Sequence, residues 1–246
     1  MGSGFLDQSR RWPLLAVAGT VAVLLALAVG LVIETAVSHH PPDHTGVRAA
    51  VPPPGSATGI TAAGSAAPGQ LAPLHLVQGS RLVDGISVGY PHSAVGAVSA
   101  AAGDMTQLAS TLDPDRAATV MRLVADPSYR DAPQQSAQGV ISERAQLGLP
   151  GSGPVPAGAS LVFDPAEYQV LNLTGDQVGV LLLADVVVTQ RGQGSQTRIG
   201  VYPLDMHWAQ GDWKILAPAL GVDYSGLNAA PGSAQAASDG WQELAS

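Results

Sequence analysis

The chain has 246 residues and a formal net charge of −8, with 19 acidic and 11 basic residues. This balance argues against direct nucleic-acid binding, because phosphate backbones are bound by clustered Lys and Arg. The absence of cysteine excludes disulfides, thiol catalysis, Cys-ligated metals and a lipidated N-terminal Cys. Lys214 is the only lysine, and this preference for Arg beside abundant Ala, Gly and Pro is typical of a GC-rich bacterial genome, as in actinobacteria.

An apolar segment without charges occupies residues 14–33 near the N-terminus. At about 1.5 Å per residue, a helix of this length covers about 30 Å, the thickness of the bilayer hydrocarbon. Arg10 and Arg11 precede the segment, and the next basic residue is Arg48. The positive-inside rule then places the N-terminus in the cytoplasm and the rest of the chain outside the cell membrane.

Two alternatives to an uncleaved anchor remain open. A cleaved signal peptide would have a shorter apolar core and a small-x-small cleavage site, for which Ala36-Val37-Ser38 is an imperfect match. Residues 9–15 resemble a twin-arginine export signal, but Pro13 stands where that motif has an aromatic residue or Leu. We expect a cytoplasmic stub over 1–12 and a single transmembrane helix over 13–35 that binds the lipid bilayer.

A linker follows the predicted anchor. Residues 36–76 are rich in Pro, Ala, Gly, Ser and Thr, a composition that buries too little apolar surface to fold, so the linker is predicted to be disordered. Within it, the cluster His39, His40, Asp43 and His44 has metal-ligand chemistry, but two prolines interrupt it. A solvated juxtamembrane stretch is the favoured interpretation, and no metal or other cofactor is predicted.

The folded domain is predicted to span residues 77–221 and to begin with helices. Ser93 is a plausible N-cap for a helix that runs to about Leu112. Its apolar side chains recur at intervals of three and four residues, which forms one stripe. Two further helices are predicted, one from Asp113-Pro114 to Asp126-Pro127 and one over about residues 134–147, and a loop then extends to Gly158.

The second half of the domain has the pattern of strands. Residues 178–190 are apolar on both faces, which indicates a central strand, and turn sequences separate this strand from its neighbours. Pro203 lies where the apolar alternation changes phase, so a β-bulge is predicted there. The four predicted strands cover residues 168–173, 178–190, 196–209 and 212–217.

The C-terminal residues 222–246 return to Ala, Gly, Ser and Asn and are predicted to form a disordered tail. Trp241 and Leu244 in this tail could form a short docking motif, although a loose end is the favoured interpretation.

The order of helices followed by an antiparallel meander predicts an α+β fold, in which about three helices pack on a curved sheet of about four strands. Two stretches, residues 93–98 (SAVGAV) and 207–215 (HWAQGDWKI), resemble the cystatin-like cone of the nuclear-transport-factor-2-like superfamily. Bitopic members of this superfamily include the TcpC-like assembly components of conjugation and type IV secretion systems. The resemblance implies a similar role, with other cell-envelope proteins as partners and self-association as a further expectation.

Asp185 is the sharpest candidate for a catalytic group. It lies in a predicted strand on the same face as Leu181, Leu183 and Val187, where burial would raise its pKa, as a general base requires. A structural ion pair, for example with Arg198 on the next strand, is the favoured alternative.

His207 and His92 are weaker candidates. His207 could pair with Asp185, although solvent exposure is favoured, and His92 is interpreted as a capping or packing residue. The sequence contains no G-x-S-x-G, H-E-x-x-H, phosphate-loop or dinucleotide-binding motif. An enzymatic role is therefore not favoured.

Three functional hypotheses remain. The first is a single-pass, extracytoplasmic scaffold of a conjugation or secretion machine. The second is a small-molecule-binding or isomerase-like cone with Asp185 as base. The third is a sensor or binding module on a tether, which the sequence does not separate from the first.

Overall fold

A five-stranded antiparallel sheet forms the centre of the structure, a computed structural model that describes residues 72–219 and 221–245. No helix among these residues is long and apolar enough to cross a membrane. The predicted stub, anchor and most of the predicted linker lie outside the described residues. The elements in chain order are β1 (Arg81–Val83), β2 (Ile86–Val88), α1 (Ala94–Ala109), α2 (Pro114–Val124), α3 (Ala132–Gln146), β3 (Ser160–Leu173), β4 (Gln177–Gln190), β5 (Gly194–Ala209), β6 (Asp212–Ile215), α4 (Ala234–Ser238) and β7 (Gln242–Glu243).

Two of the long helices, α1 and α2, begin where local capping signals place them. The Ser93 hydroxyl accepts a hydrogen bond from the Gly96 amide at 3.1 Å, and Asp113 caps α2 through the Asp115 amide. Gly96 must be small, because a Cβ there would overlap the Pro91 carbonyl oxygen. The predicted starts of α1 and α2 are confirmed, and α3 begins two residues earlier than expected.

A short hairpin, β1–β2, precedes α1 and was missed by the sequence analysis. Its turn is Asp84-Gly85, and both residues adopt positive φ values, 51° and 74°. Aspartate followed by glycine is a strong local signal for such a turn. The strands are only three residues long, too short for an alternating pattern to be recognised.

The meander forms with sheet order β6-β5-β4-β3-β7, so β4 is central as predicted. β3 begins at Ser160, eight residues before the expected start. Asp164 and Pro165 hid this first half, because both residue types are typical of turns. Pro165 is tolerated because it lies beside a register shift in β3, outside the short stretch that β7 covers.

The predicted β-bulge at Pro203 is wrong. The register between β4 and β5 is continuous, and Pro203 lies directly opposite Leu181. Because β6 pairs only with residues 206–209, β5 forms the sheet edge at Pro203, where a missing N–H is tolerated. The apparent change of phase arises because β5 has apolar residues on both faces. Ile199 and Val201 pack on the outer face, and Leu204 and Met206 pack on the inner face.

The two faces of the sheet are covered differently. The inner face packs against the long helices and includes Leu182, Ala184 and Met206. The outer face carries Leu181 and Leu183, which are 0% exposed because residues 224–241 cover them.

The prediction of a disordered tail over 222–246 is therefore wrong for the described residues. The tail contains a 3-10 turn over Ser225–Leu227, then α4 and β7, and β7 is the fifth strand of the sheet. Its low-complexity composition hid a few anchoring side chains that only the folded sheet can bury. The α+β class with an antiparallel sheet is confirmed, and the sheet has five strands instead of about four.

Candidate functional site

Asp185 lies on the outer face of β4, in phase with Leu181 and Leu183 as predicted. Its direct cross-strand neighbours are Asp164 on β3 and Ile199 on β5. Burial, followed by the nearby negative charge of Asp164, raises the pKa of Asp185. Asp185 therefore lies on the face of the sheet that the tail covers, opposite the face on which α1 packs.

The suggested ion pair between Asp185 and Arg198 does not fit the observed register. Arg198 is aligned with Val186, one residue along from Asp185, so the two charged side chains leave the sheet on opposite faces. Arg198 is exposed, and it is close enough to Glu143 in α3 for their charges to interact. Burial raises the pKa of the Glu143 carboxyl, and the positive charge of Arg198 partly opposes this effect.

His207 pairs with Asp126 instead of Asp185. Its Nδ1 lies 2.8 Å from Asp126 Oδ2, at the end of α2. Asp126 is 6% exposed and also accepts hydrogen bonds from the amide and hydroxyl of Ser128. Burial opposes ionisation of Asp126, but the hydrogen bonds from Ser128 and His207 outweigh it and lower its pKa. The pair joins the helical layer to β5, which no local sequence pattern could reveal because 81 residues separate its members.

His92 is a packing residue, as the sequence analysis favoured. Its ring stacks on Trp208 with centroids 4.3 Å apart, and its Nε2 lies 2.8 Å from the Gly175 carbonyl oxygen. Trp208 in turn contacts Trp213 edge-to-face at 5.4 Å. Trp208 and Trp213, which lie on either side of the β5–β6 turn, thus hold the start of α1 close to the turn between β3 and β4.

A buried polar cluster lies between α1 and β6, and it was not predicted from the sequence. Asp212 accepts hydrogen bonds from the Tyr90 amide and from Lys214 Nζ, at 2.9 and 3.2 Å. Lys214 also donates to the Leu123 carbonyl at 2.7 Å. Burial, followed by the negative charge of Asp212, raises the pKa of Asp104 in α1 well above its usual value, while Lys214 opposes the shift. The available signal was an aspartate within the alanine-rich stripe of α1.

Arg144 holds the loop that follows α3. Its side chain is fully buried, and its guanidinium donates to the carbonyl oxygens of Leu112, Ser152, Gly153 and Pro154. These contacts are all with neutral acceptors, so Arg144 has a structural role in joining α1, α3 and the loop before β3.

The outer face and residues 224–241 of the tail form a second apolar cluster, whereas Leu244 at the end of the tail packs against the main core. The cluster consists of Leu181 and Leu183 from β4 with Ala229, Ala236 and Trp241 from the tail. Trp241 is 6% exposed, and its indole N–H donates to the Leu227 carbonyl at 3.0 Å. Trp241 therefore anchors the tail both to the sheet and to the preceding turn.

Polar contacts complete the docking of the tail along β3. Tyr168 donates its hydroxyl hydrogen to Gln242 at 2.7 Å, and Gln169 donates to the Asp239 carbonyl at 2.9 Å. Glu167, which is 4% exposed, accepts from the Gly232 amide with Oε1, while its buried Oε2 has no hydrogen-bond partner among the described residues. An unpaired buried oxygen of this kind weakens the docking.

The beginning of the described chain is bound to the same tail. Leu74 donates its amide to the Glu243 carbonyl at 2.9 Å, and its own carbonyl accepts from the Ala245 amide at 2.8 Å. The segment that leads back towards the predicted anchor therefore adjoins the C-terminal strand.

The C-terminal end of β3 is an exposed apolar patch, which we define as Val170, Leu171 and Leu173. Their exposed fractions are 40%, 44% and 60%. β7 pairs with β3 only at Glu167 and Tyr168, so the patch lies beyond this pairing on the edge strand. The register with β4 shifts between Val170 and Asn172, which makes Leu171 the extra residue of a bulge and breaks the regular edge. The protruding side chains are thus a more suitable contact for a partner than the strand backbone.

Residues 79–241 match the profile of a family described as a domain of unknown function, DUF8175. The chain belongs to this family. The DUF8175 match extends to Trp241, so it includes most of the tail that covers the outer face. No curated protein matches the chain. Among solved structures, the intermembrane space region of the chloroplast protein ARC6 is similar at 18% identity, over 49% of this chain and 87% of that chain, with a TM-score of 0.31.

Within the DUF8175 domain, the predicted site residues are not brought together. Asp185 faces the tail side of the sheet, His207 binds Asp126, and His92 packs on Trp208. Across residues 72–219 and 221–245, no group of three or more metal-binding side chains is arranged around a common centre. The patch on β3 is an exposed apolar surface of the described residues, and the outer face of the sheet is a second apolar surface that the tail covers.

Proposed function

We propose that the chain is a single-pass membrane-anchored assembly protein of the bacterial cell envelope, and that its DUF8175 domain contacts other envelope proteins outside the membrane. The observation that carries this proposal is the patch Val170, Leu171 and Leu173. Three large apolar side chains within four residues of one exposed strand end favour a protein contact, because soluble domains rarely expose such groups contiguously.

The topology and the contacts of the polar residues support the same function. The uncharged segment 14–33, with Arg10 and Arg11 before it, is the proposed anchor. Asp126, His207, Asp212 and Lys214 are bound to other groups of the fold, which is the arrangement expected of structural residues. The proposed layout of stub, span, linker and outer domain is also that of TcpC-like assembly proteins. We therefore propose that the protein works in a conjugation or secretion machine and that its domain is a cone of the nuclear-transport-factor-2-like kind.

The experiment compares the proteins that copurify with three forms of the full chain from crosslinked membranes. The forms are the unchanged chain, the patch variant Leu171→Asp/Leu173→Asp, and the control Leu82→Asp on β1. Leu82 is 72% exposed, which is more than either patch leucine, so it matches them as an accessible apolar residue outside the patch.

We expect the unchanged chain and Leu82→Asp to recover the same set of envelope proteins, and the patch variant to lose them. Recovery of the protein alone in all three forms would reject the assembly function. Equal recovery by the patch variant would reject the patch as its contact. Release of the unchanged chain from membranes by alkaline carbonate would reject the anchor.

A further inference from the structure

We propose that the tail, residues 222–245, is an exchangeable docking segment, so that the outer face of one copy binds the tail of a second copy. This inference rests on the proposed assembly function and specifies one of its contacts, which joins identical chains at the membrane. The surface consists of Leu181, Leu183 and the edge of β3 at residues 166–169.

Most of the tail contacts an apolar cluster that is separate from the main core. Tyr224, Leu227, Ala229, Ala236 and Trp241 pack with Leu181 and Leu183 on the outer face, whereas α1, α2 and the inner face of the sheet form the main core. Among the apolar residues of the tail, Leu244 packs at the edge of the main core. Detachment of the tail therefore removes contacts mainly from the outer side of the sheet and leaves the contacts between the helices and the inner face in place.

The pairing between the tail and β3 is short. Strand β7 makes only two residue pairs with β3 among the described residues, at Glu167 and Tyr168. At the first of these pairs, Glu167 Oε2 is buried and has no hydrogen-bond partner among the described residues. Buried oxygens without partners favour the detached state, because water can satisfy them there.

The connection between the sheet and the tail also favours exchange. Leu216 makes the last backbone hydrogen bond to β5, through the Asp205 carbonyl. After it, Ala217, Ala219, Gly221 and Val222 are all exposed. Gly221 has φ 85°, which glycine adopts without strain. The exposure of these described residues and the permissive glycine allow the tail to leave along another direction without disturbing the core.

The occupant is a second copy because its tail has the sequence that the surface already binds. The indole of Trp241, the Gln242 side chain and the Leu244 amide would make the same contacts in either chain. Anchoring in one membrane raises the local concentration of the second tail, which favours exchange between neighbours.

The absence of native cysteine makes disulfide trapping a direct test. Tyr168 and Gln242 are directly opposed in the β3–β7 pairing, and such Cα atoms lie about 4.5–5.5 Å apart, within disulfide range. Full-length Tyr168→Cys and Gln242→Cys chains with different tags are mixed, reconstituted into phospholipid vesicles and oxidised with diamide. A single chain with both Tyr168→Cys and Gln242→Cys measures docking of the tail within one chain. A mixture of Tyr168→Cys with Gln193→Cys, which lies in the exposed β4–β5 turn, measures disulfides formed by random collision.

We expect the mixed dimer to exceed the collision control by about tenfold, a difference that corresponds to about 1.4 kcal/mol of specific association. Trp241→Ala provides the decisive second variant, because its effect should reverse between the two chains. In the Gln242→Cys chain it weakens the incoming tail and lowers the yield. In the Tyr168→Cys chain it vacates the resident site and raises the yield.

Three outcomes would overturn the exchange. They are a mixed dimer no more abundant than the collision control, a Trp241→Ala effect of the same sign in both chains, and failure of the double variant to form its internal disulfide. None of them bears on the recovery of other envelope proteins through the patch, so failure of exchange is distinguishable from failure of the proposed function.

Discussion

Replacement of Trp241 by alanine should detach the tail without unfolding the domain. A buried tryptophan removes about 150–250 Å² from water, which at about 25 cal/mol per Å² corresponds to about 4–6 kcal/mol. Substitutions of large buried aromatic residues by alanine usually reduce stability by about 3–5 kcal/mol. Because Trp241 belongs to the separate outer cluster, this loss should fall on tail docking, and the main core should retain its stability.

Hydrogen exchange of individual amides measures this loss. The Trp241 amide donates to the Ala236 carbonyl, and the Leu244 amide donates to the Ala166 carbonyl. In Trp241→Ala, the amides of Leu244 and of residue 241 should exchange about 10²- to 10⁴-fold faster, or reach the unprotected limit, since about 1.4 kcal/mol is a factor of ten. The Ala97 amide in α1, which is bonded to the Ser93 carbonyl, should keep its protection.

The matched control is Trp241→Phe, which retains an aromatic ring but loses the N–H donated to Leu227. Its effect should be about 1 kcal/mol, or about fivefold in exchange. Equal acceleration at Ala97 and Leu244 in Trp241→Ala would refute the reasoning, because the tail would then be an integral part of the main core. Unchanged exchange at Leu244 would also refute the reasoning, because Trp241 would then not hold the tail on the sheet.

Three further predictions concern the buried polar groups. The pKa of Asp104 is raised in the folded state, so ionisation of Asp104 lowers the stability of the domain as pH rises from 3.8, its unfolded value, through the folded pKa. Asp104→Asn should therefore gain stability relative to the unchanged chain over that pH interval. Urea unfolding at a series of pH values measures this gain. The pKa of Asp126 is lowered in the folded state, so ionised Asp126 stabilises the domain above pH 3.8, and this stabilisation is lost as pH falls through the folded pKa. Asp126→Asn should be about 1–3 kcal/mol less stable at pH 7, and it should lose less further stability on acidification than the unchanged chain. An unchanged dependence of stability on acid pH would contradict this prediction. Arg144→Met should lower stability by about 1–3 kcal/mol for each buried carbonyl oxygen that loses its donor, and it should make residues 148–158 susceptible to limited proteolysis. Unchanged resistance of this loop to proteolysis would show that the guanidinium does not hold it.

Local signals determined much of the helical half and the centre of the sheet. Ser93 and Asp113 cap their helices through hydrogen bonds to amides only two or three residues away, so a short window contains the whole interaction. The apolar residues on both faces of β4 also predicted its central position, since both faces of a buried strand need side chains that tolerate burial. The phase that groups Asp185 with Leu181 and Leu183 follows from the two-residue period of any strand.

The tertiary structure decided which surfaces those elements meet. The tail lacks a periodic apolar pattern, and it is ordered because Trp241 reaches a site made by β4, about 60 residues earlier in the chain. His207 binds Asp126 across 81 residues, and no local spacing distinguishes this partner from Asp185. The sequence by itself determined the elements whose partners lie within a few residues. The outer cluster, the docked tail and the partner of His207 depend on long-range contacts, because each exists only after the sheet has brought distant parts of the chain together.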